Sequence, residues 1–188
     1  PFGLARDFAL HIPYLYERTI KIIDLCAGTG ILSYVASLAD NDWNRCYSEI
    51  TCVEINPDYV EVGKRLVPQA TWICGDALDP ELLQRLGRFD CAIANPPFGT
   101  IRSEHRKTYA SGTFEYMVIE AASNIADFGA FIVPQMSAPF VYSGTNNHHW
   151  LGADCRGRKF EEKTGIELNF NIGIDTAAYK NDWHGTSP

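Results

Sequence analysis

The stretch "FDCAIANPPFGT", residues 89–100, ends an apolar run on an amide, two prolines and an aromatic. Pro96 and Pro97 offer no backbone N–H, so the carbonyls beside them have no local donor to satisfy them. Asn95 and the Pro96 carbonyl thus form a pair of outward-facing acceptors next to the flat face of Phe98. Directly afterwards, "IRSEHRKTYASG" at 101–112 carries Arg102, His105, Arg106 and Lys107. This is a dense positive run in an acidic chain. It can engage phosphates, and its serine and glycine suit a loop that closes over a bound molecule.

A second constellation lies nearer the start. "IKIIDLCAGTGILS" places Gly28 and Gly30 between a strand-like run and a helix-like one, where glycine permits positive φ and close approach of a ligand. Ser33 stands where a dinucleotide fingerprint would have its third glycine. Asp24 ends the apolar run beside this turn, Glu54 ends the next one in "CVEINP", and Asp76 follows a third in "ICGDAL". An acid beside the turn disfavours a pyrophosphate, and Glu54 suits the two hydroxyls of a ribose. Three acids at one rim fit a zwitterionic nucleoside better than a dinucleotide.

The elements that must position these groups alternate. Nearly continuous apolar runs at Ile20–Leu25, Ile50–Glu54, Thr71–Cys74, Phe89–Ala94 and Phe128–Pro134 predict parallel strands covered on both faces. Helical patterns at Thr29–Leu38, Asn56–Val67, Pro80–Leu86 and Thr113–Ala126 separate them, the second opening on an Asn cap with Pro57 behind it. The class is α/β, a Rossmann-like doubly wound, mostly parallel sheet, whose ligand belongs at the carboxyl ends of the strands. Residues 135–155 read as an irregular excursion. A short charged helix over Arg158–Lys163 and a strand-like "IELNFNIGI" from Ile166 come next. Nothing divides the chain, so 1–188 is expected to form a single domain.

Composition sets the outer limits. The chain has 188 residues, 46% hydrophobic and 21% charged, with net charge −7. Such values describe a globular protein without a broad nucleic-acid-coating surface, although a local basic groove is compatible with them. No apolar run approaches a membrane span, and no charged segment followed by an apolar one marks a leader. The chain starts at Pro1 without a methionine, as part of something longer would. Of six cysteines, Cys52, Cys74 and Cys91 sit in apolar runs and none forms a C-x-x-C pair. They read as small buried hydrophobes of a reducing cytoplasm rather than as metal ligands. Adjacent His148 and His149 would face opposite sides of a strand, which argues against a shared metal.

The order D-x-x-x-G-x-G, Glu, G-D-A, N-P-P-F resembles the class I S-adenosylmethionine-dependent methyltransferases, and among them the N6-adenine amino-methyltransferases. The resemblance covers essentially the whole chain, and its most specific component is "NPPFGT". It implies that Asp24, Cys26, Gly28 and Gly30 flank the methionine part of S-adenosylmethionine. Glu54 would hold its ribose, Ile55 would contact its adenine, and Asp76 with the Ala77 N–H would bind the adenine edge. Asn95, too, would border the cofactor. Two departures accompany the likeness. The last antiparallel strand of the family sheet is missing from the chain, and so is a separate target-recognition domain, which points to a partner protein for recognition.

The chemistry so implied is transfer to an exocyclic amine. Its lone pair is conjugated into the ring, and two acceptors on its N–H bonds, the Asn95 side-chain oxygen and the Pro96 carbonyl, would free it and stabilise the developing positive charge. Pro97 stiffens this end and Phe98 stacks on the extracted base. No metal ligand or general base is called for. Arg102, Arg106 and Lys107 would meet the nucleic acid, and Tyr179, with Trp183 in reserve, would stack on the base's other face. Adenine N6 in DNA or RNA leads; guanine N2 in RNA, a protein glutamine and an inactive cofactor-binding subunit are the rivals.

Overall fold

The structure, a computed structural model, describes residues 2–13, 19–42, 49–110, 112–170 and 173–182. Five parallel strands form its sheet: β1 (Lys21–Leu25), β2 (Glu49–Glu54), β3 (Thr71–Cys74), β4 (Phe89–Ala94) and β5 (Ala126–Phe131). Their spatial order is β3-β2-β1-β4-β5. The order reverses between β1 and β4, and the crevice of such a sheet opens there, beyond the carboxyl ends. Helices α1 (Phe2–Phe8), α2 (Ile31–Asp42), α3 (Pro57–Leu66), α4 (Pro80–Leu86), α5 (Phe114–Ser123) and α6 (Arg156–Thr164) accompany it.

Local chemistry starts these helices as the sequence suggests. The Asn56 Oδ1 accepts from the Asp58 N–H at 2.9 Å ahead of α3, and the Asp79 Oδ1 accepts from the Glu81 N–H at 2.9 Å ahead of α4. Each cap is followed by proline at the first helical position, where the missing N–H costs nothing. Strand β4 is enclosed on both faces, with Cys91, Ala92, Ile93 and Ala94 all fully buried. Ile23, Leu25, Val53, Ala92 and Ala94 join Met117 and Val118 of α5 on one face. Ile22, Ile50, Cys52, Cys91 and Ile93 join Phe8, Leu32 and Val35 on the other. Burial of a side chain such as Ile93 contributes roughly 1.5–3 kcal/mol, so this strand is a rigid base for the Asn-Pro-Pro-Phe end.

Four expectations change. Strand β3 is a sheet margin rather than a strand covered on both faces, and Cys74 at its end is exposed. The fifth strand is Ala126–Phe131, not Phe128–Pro134, because α5 stops at Ser123 and Phe89 N–H takes the Ile125 carbonyl at 2.8 Å. Phe128 is 61% exposed at this other margin. "IELNFNIGI" forms no strand among its described residues. Its Ile166 and Leu168 pack instead on Tyr116, Ile119 and Phe160, and the Leu168 N–H is taken by the Glu161 carboxylate at 2.8 Å. The excursion after Pro134 holds a small antiparallel pair, β6 (Phe140–Val141) and β7 (His149–Trp150). There the His148 ring stacks on Tyr142 at 3.9 Å, while the His149 ring nitrogen meets the Asn147 carbonyl.

Candidate active site

Register decides which predicted residues share a rim. Glu54 pairs with Cys74 and is the last residue of β2, and Gly75 N–H extends the ladder to the Glu54 carbonyl at 3.0 Å. Asp76 comes immediately after. The glycine turn starts after Leu25, and its Ala27 N–H reaches the Val53 carbonyl at 3.0 Å. Asn95 succeeds the last residue of β4 on the other side of β1. The Asp76 turn, Glu54, the glycine turn and Asn95 therefore line up along one edge.

Asp24 does not join that row. It lies within β1, one residue before its end, paired with Cys52 and Ile93, and is 1% exposed. Its Oδ2 accepts from the Ser33 hydroxyl at 2.7 Å, and the Cys52 thiol donates to that hydroxyl at 3.2 Å. Oδ1 has no hydrogen-bond partner. Burial, opposed by the Ser33 bond and reinforced by Glu54, raises its pKa from 3.8 to about 7. The residue that replaces the third glycine is thus the donor to a buried acid. The sequence signal was that departure itself.

The turn holds three left-handed residues: Cys26 at φ 62°, Gly28 at 58° and Gly30 at 89°. A non-glycine there costs on the order of 1–2 kcal/mol, a strain typical of ligand-facing turns. Burial also pushes the Cys26 thiol pKa upward. The two glycines have different jobs. A Cβ on Gly28 would meet open space, as a ligand-facing backbone needs. A Cβ on Gly30 would lie 2.8 Å from the Trp72 ring, so this glycine makes room for packing and not for a ligand.

Glu54 is 8% exposed and organises the turn. Its Oε2 accepts from the Gly28 N–H and its Oε1 from the Asn56 N–H, both at 2.8 Å. Ile55 beside it is 67% exposed. The Asp76 Oδ1 accepts from the Leu78 N–H at 2.9 Å, and Ala77 is buried.

Beyond β4, Pro96 is buried while Asn95, Pro97 and Phe98 are exposed, Phe98 at 49%. An exposed amide and ring stand on a buried proline, itself on a fully buried strand. The positive segment is not a loose loop in this structure. A 3-10 turn over Glu104–Thr108 is straddled by two anchors on one stretch of backbone. The Ser103 hydroxyl donates to the Asp76 Oδ2 at 3.3 Å, and the Tyr109 hydroxyl donates to the Leu78 carbonyl at 2.7 Å. Arg106 and Lys107 between them, and Arg102 just before the first, stay exposed. The sequence reading missed Ser103 and Tyr109, which are ordinary polar residues until the register places them over the Asp76 turn.

No protein-family model and no curated protein matches the chain. Solved structures do. A Listeria monocytogenes protein assigned to the class I S-adenosylmethionine-dependent methyltransferases is 18% identical and covers 78% of this chain and 48% of its own, with a TM-score of 0.59. The chain has the class I methyltransferase fold. TrmN of Thermus thermophilus shares it at 12% identity over 71% of this chain and 38% of its own, with a TM-score of 0.51. This chain thus spans at most about half of the length of these proteins.

Within this methyltransferase fold, Tyr179 sits against α1. Its hydroxyl bonds to the Asp7 carboxylate and its ring lies over Gly3. Trp183 lies outside the described residues. No helix among the described residues is long and apolar enough to cross a membrane.

Proposed function

We propose that residues 1–188 form one methyltransferase domain that uses S-adenosylmethionine to methylate an exocyclic amine, adenine N6 in DNA or RNA before others. The observation that carries this reading is an exposed Asn95 and Phe98 at the same rim as Glu54 and Asp76, one strand away from the left-handed turn.

The residues present fit the cofactor. Each Glu54 oxygen accepts one backbone N–H and keeps lone-pair capacity for a ribose hydroxyl. Ile55 offers an exposed apolar side chain to the adenine ring, Asp76 an oxygen to its amine and Ala77 a backbone N–H to its edge. Cys26, Gly28 and Gly30 shape the backbone beside the methionine part, with the buried Asp24 one residue before the end of β1. The cofactor supplies an electrophilic methyl on positive sulfur.

The chain's own part is to hold the acceptor nitrogen. The Asn95 oxygen and the Pro96 carbonyl take the two N–H bonds of the amine, so that its lone pair faces the methyl carbon. S-adenosylmethionine would supply the methyl and keep the leaving electron pair on its sulfur, and the amine's surplus proton would leave to water at the exposed Asn95. Both acceptors bind the cationic nitrogen more strongly than the neutral one, which is where the rate gain arises. Phe98 stacks on the base, Arg102, Arg106 and Lys107 contact phosphates, and Tyr179, with Trp183 in reserve, is the candidate for the opposite wall.

The resemblance implies that glutamine-modifying members tend to carry a tyrosine where Phe98 stands, which favours a nucleobase over a protein glutamine. Guanine N2 in RNA uses the same acceptor geometry. A partner protein supplies target choice, and a reducing cytoplasm suits the free thiols. The test is incubation with methyl-labelled S-adenosylmethionine and separate DNA, RNA and protein pools, with nucleoside analysis of the products. Label in N6-methyladenosine or its deoxy form supports the reading. Cofactor binding without label in any pool would favour an inactive, partner-serving subunit.

A further inference from the structure

The first turn of α5 grips both the Asn-Pro-Pro-Phe end and the start of the excursion after β5. Glu115 is 2% exposed, and no cation pairs with it among the described residues. Its two oxygens point to different segments: Oε2 accepts from the Gly99 N–H at 3.0 Å, and Oε1 accepts from the Ser137 hydroxyl at 2.8 Å. Gly99, at φ 88°, is held from its other side as well, because its carbonyl accepts from the Phe114 N–H at 2.8 Å. The Ser137 carbonyl in turn accepts from the Tyr116 hydroxyl at 2.7 Å. Three consecutive residues, Phe114, Glu115 and Tyr116, therefore bind two separate loops.

An enclosed carboxylate without a cation is costly, and two neutral donors plus a helix N-terminus are what offset it here. The cost has a reason at this place. Pro96 and Pro97 have no N–H, so the segment is poor in groups by which it can be fixed. The Gly99 N–H, one residue beyond Phe98, is the handle that Glu115 takes.

We propose that Glu115 is the positioning residue of the transfer step, aligning Asn95 and Phe98 through Gly99 and tying them through Ser137 to the excursion that carries β6 and β7. The inference rests on the methyl-transfer reading of the site. Glu115 touches neither cofactor nor substrate; it acts by holding Gly99.

The geometry makes an unusual demand on variants. In Glu115→Gln the amide oxygen still accepts from Gly99, and the Ser137 hydroxyl turns to accept from the new NH2, so both ties survive. Glu115→Ala loses both. Ser137→Ala removes one, and combined with Glu115→Gln it leaves a buried NH2 with no acceptor.

The experiment uses methyl-labelled S-adenosylmethionine with an adenine-containing single-stranded oligonucleotide, as DNA and as RNA, together with amide exchange at Gly99 by NMR. Glu115→Ala should lower kcat by about tenfold to a hundredfold, the effect of roughly an ångström of misplacement, with cofactor affinity unchanged. Gly99 should lose its exchange protection. Glu115→Gln should keep most of the rate and the protection. The Glu115→Gln/Ser137→Ala pair should fall below the product of its single variants. A normal rate and protected Gly99 in Glu115→Ala, or a Gln variant as impaired as Ala, overturns the proposal. If Ala does not fold, the Gln variant and the pair decide by themselves. Should no oligonucleotide be methylated by the wild type, the reaction reading fails, while Gly99 exchange still tests the clamp.

Discussion

Asn95 and Phe98 stand three residues apart on one exposed end, yet the chemistry asks different things of them. Asn95→Ala should lower kcat by roughly 10²–10³, the scale of a lost preorganised dipole, and leave cofactor and nucleic-acid binding intact. Phe98→Ala should instead weaken nucleic-acid capture by about 1–3 kcal/mol, the value of one stacked aromatic. Single-turnover rates beside equilibrium titrations separate the two, and a near-normal rate for Asn95→Ala would remove the amide from the mechanism. Asp24 makes a prediction of another kind. Its pKa is raised from 3.8 to about 7, so the neutral form is favoured by folding. That component of stability is fully present below pH 4 and is lost as pH climbs towards 7. Relative to Asp24→Asn, the cofactor-free protein should therefore lose on the order of 4 kcal/mol between pH 4 and 7, read by thermal unfolding. Parallel curves for the two proteins would contradict this.

At the scale of elements, the glycine turn is the place to separate ligand approach from packing. Gly30→Ala puts a methyl into the Trp72 indole at a left-handed position, and should cost about 1–3 kcal/mol of stability. Gly28→Ala meets only the strain of its φ, so its larger effect should be on cofactor affinity. Equal effects of the two on both measurements would mean that the turn acts as one unit. Both glycines were legible in the sequence, but their division of labour was not, since Trp72 comes from a different strand. Strands β3 and β4 and helix α4 were also legible to the residue, because continuous apolar runs and Asn-Pro or Asp-Pro caps are local signals. The Ile166 segment was misread for the same reason. Alternation is local, while pairing requires a neighbour, and its N–H groups and side chains found α5 and α6 instead. Asp24 shows the limit for sites. A run of letters shows where apolar residues stop, but only register reveals that the acid lies one layer below the rim. Ser103 and Glu115 carry no motif at all, and Ser33 only a departure from one; their roles exist through partners 9 to 27 positions away.

For the whole molecule, the decisive quantity is where charge sits within a net of −7. A nucleic acid approaching this chain meets general repulsion, and beside the proposed site a cationic stretch held by the Ser103 and Tyr109 anchors. Binding should therefore depend on few phosphate contacts. Replacing Arg102, Arg106 and Lys107 with Ala should flatten the slope of log affinity against log salt by roughly 2–3, with cofactor binding unaffected. An unchanged slope would place the phosphate contacts elsewhere.

Cys74 turns the exposed margin of the sheet into a chemical reporter. Among the described cysteines it alone is exposed, and its thiol lies 3.7 Å from the Ile55 carbonyl, next to the side chain proposed to meet the cofactor's adenine. The thiols of Cys52 and Cys91 are buried and Cys26 is half-buried, and the pKa values of all three lie above the ordinary range, so they react slowly. A maleimide should thus modify Cys74 ahead of those three. Its rate, tracked by mass spectrometry of the Cys74 peptide, becomes a footprint of occupancy that needs neither a substrate nor turnover. Slower modification in the presence of S-adenosylhomocysteine, with adenosine alone sufficient and methionine ineffective, would locate the nucleoside half of the ligand over Ile55.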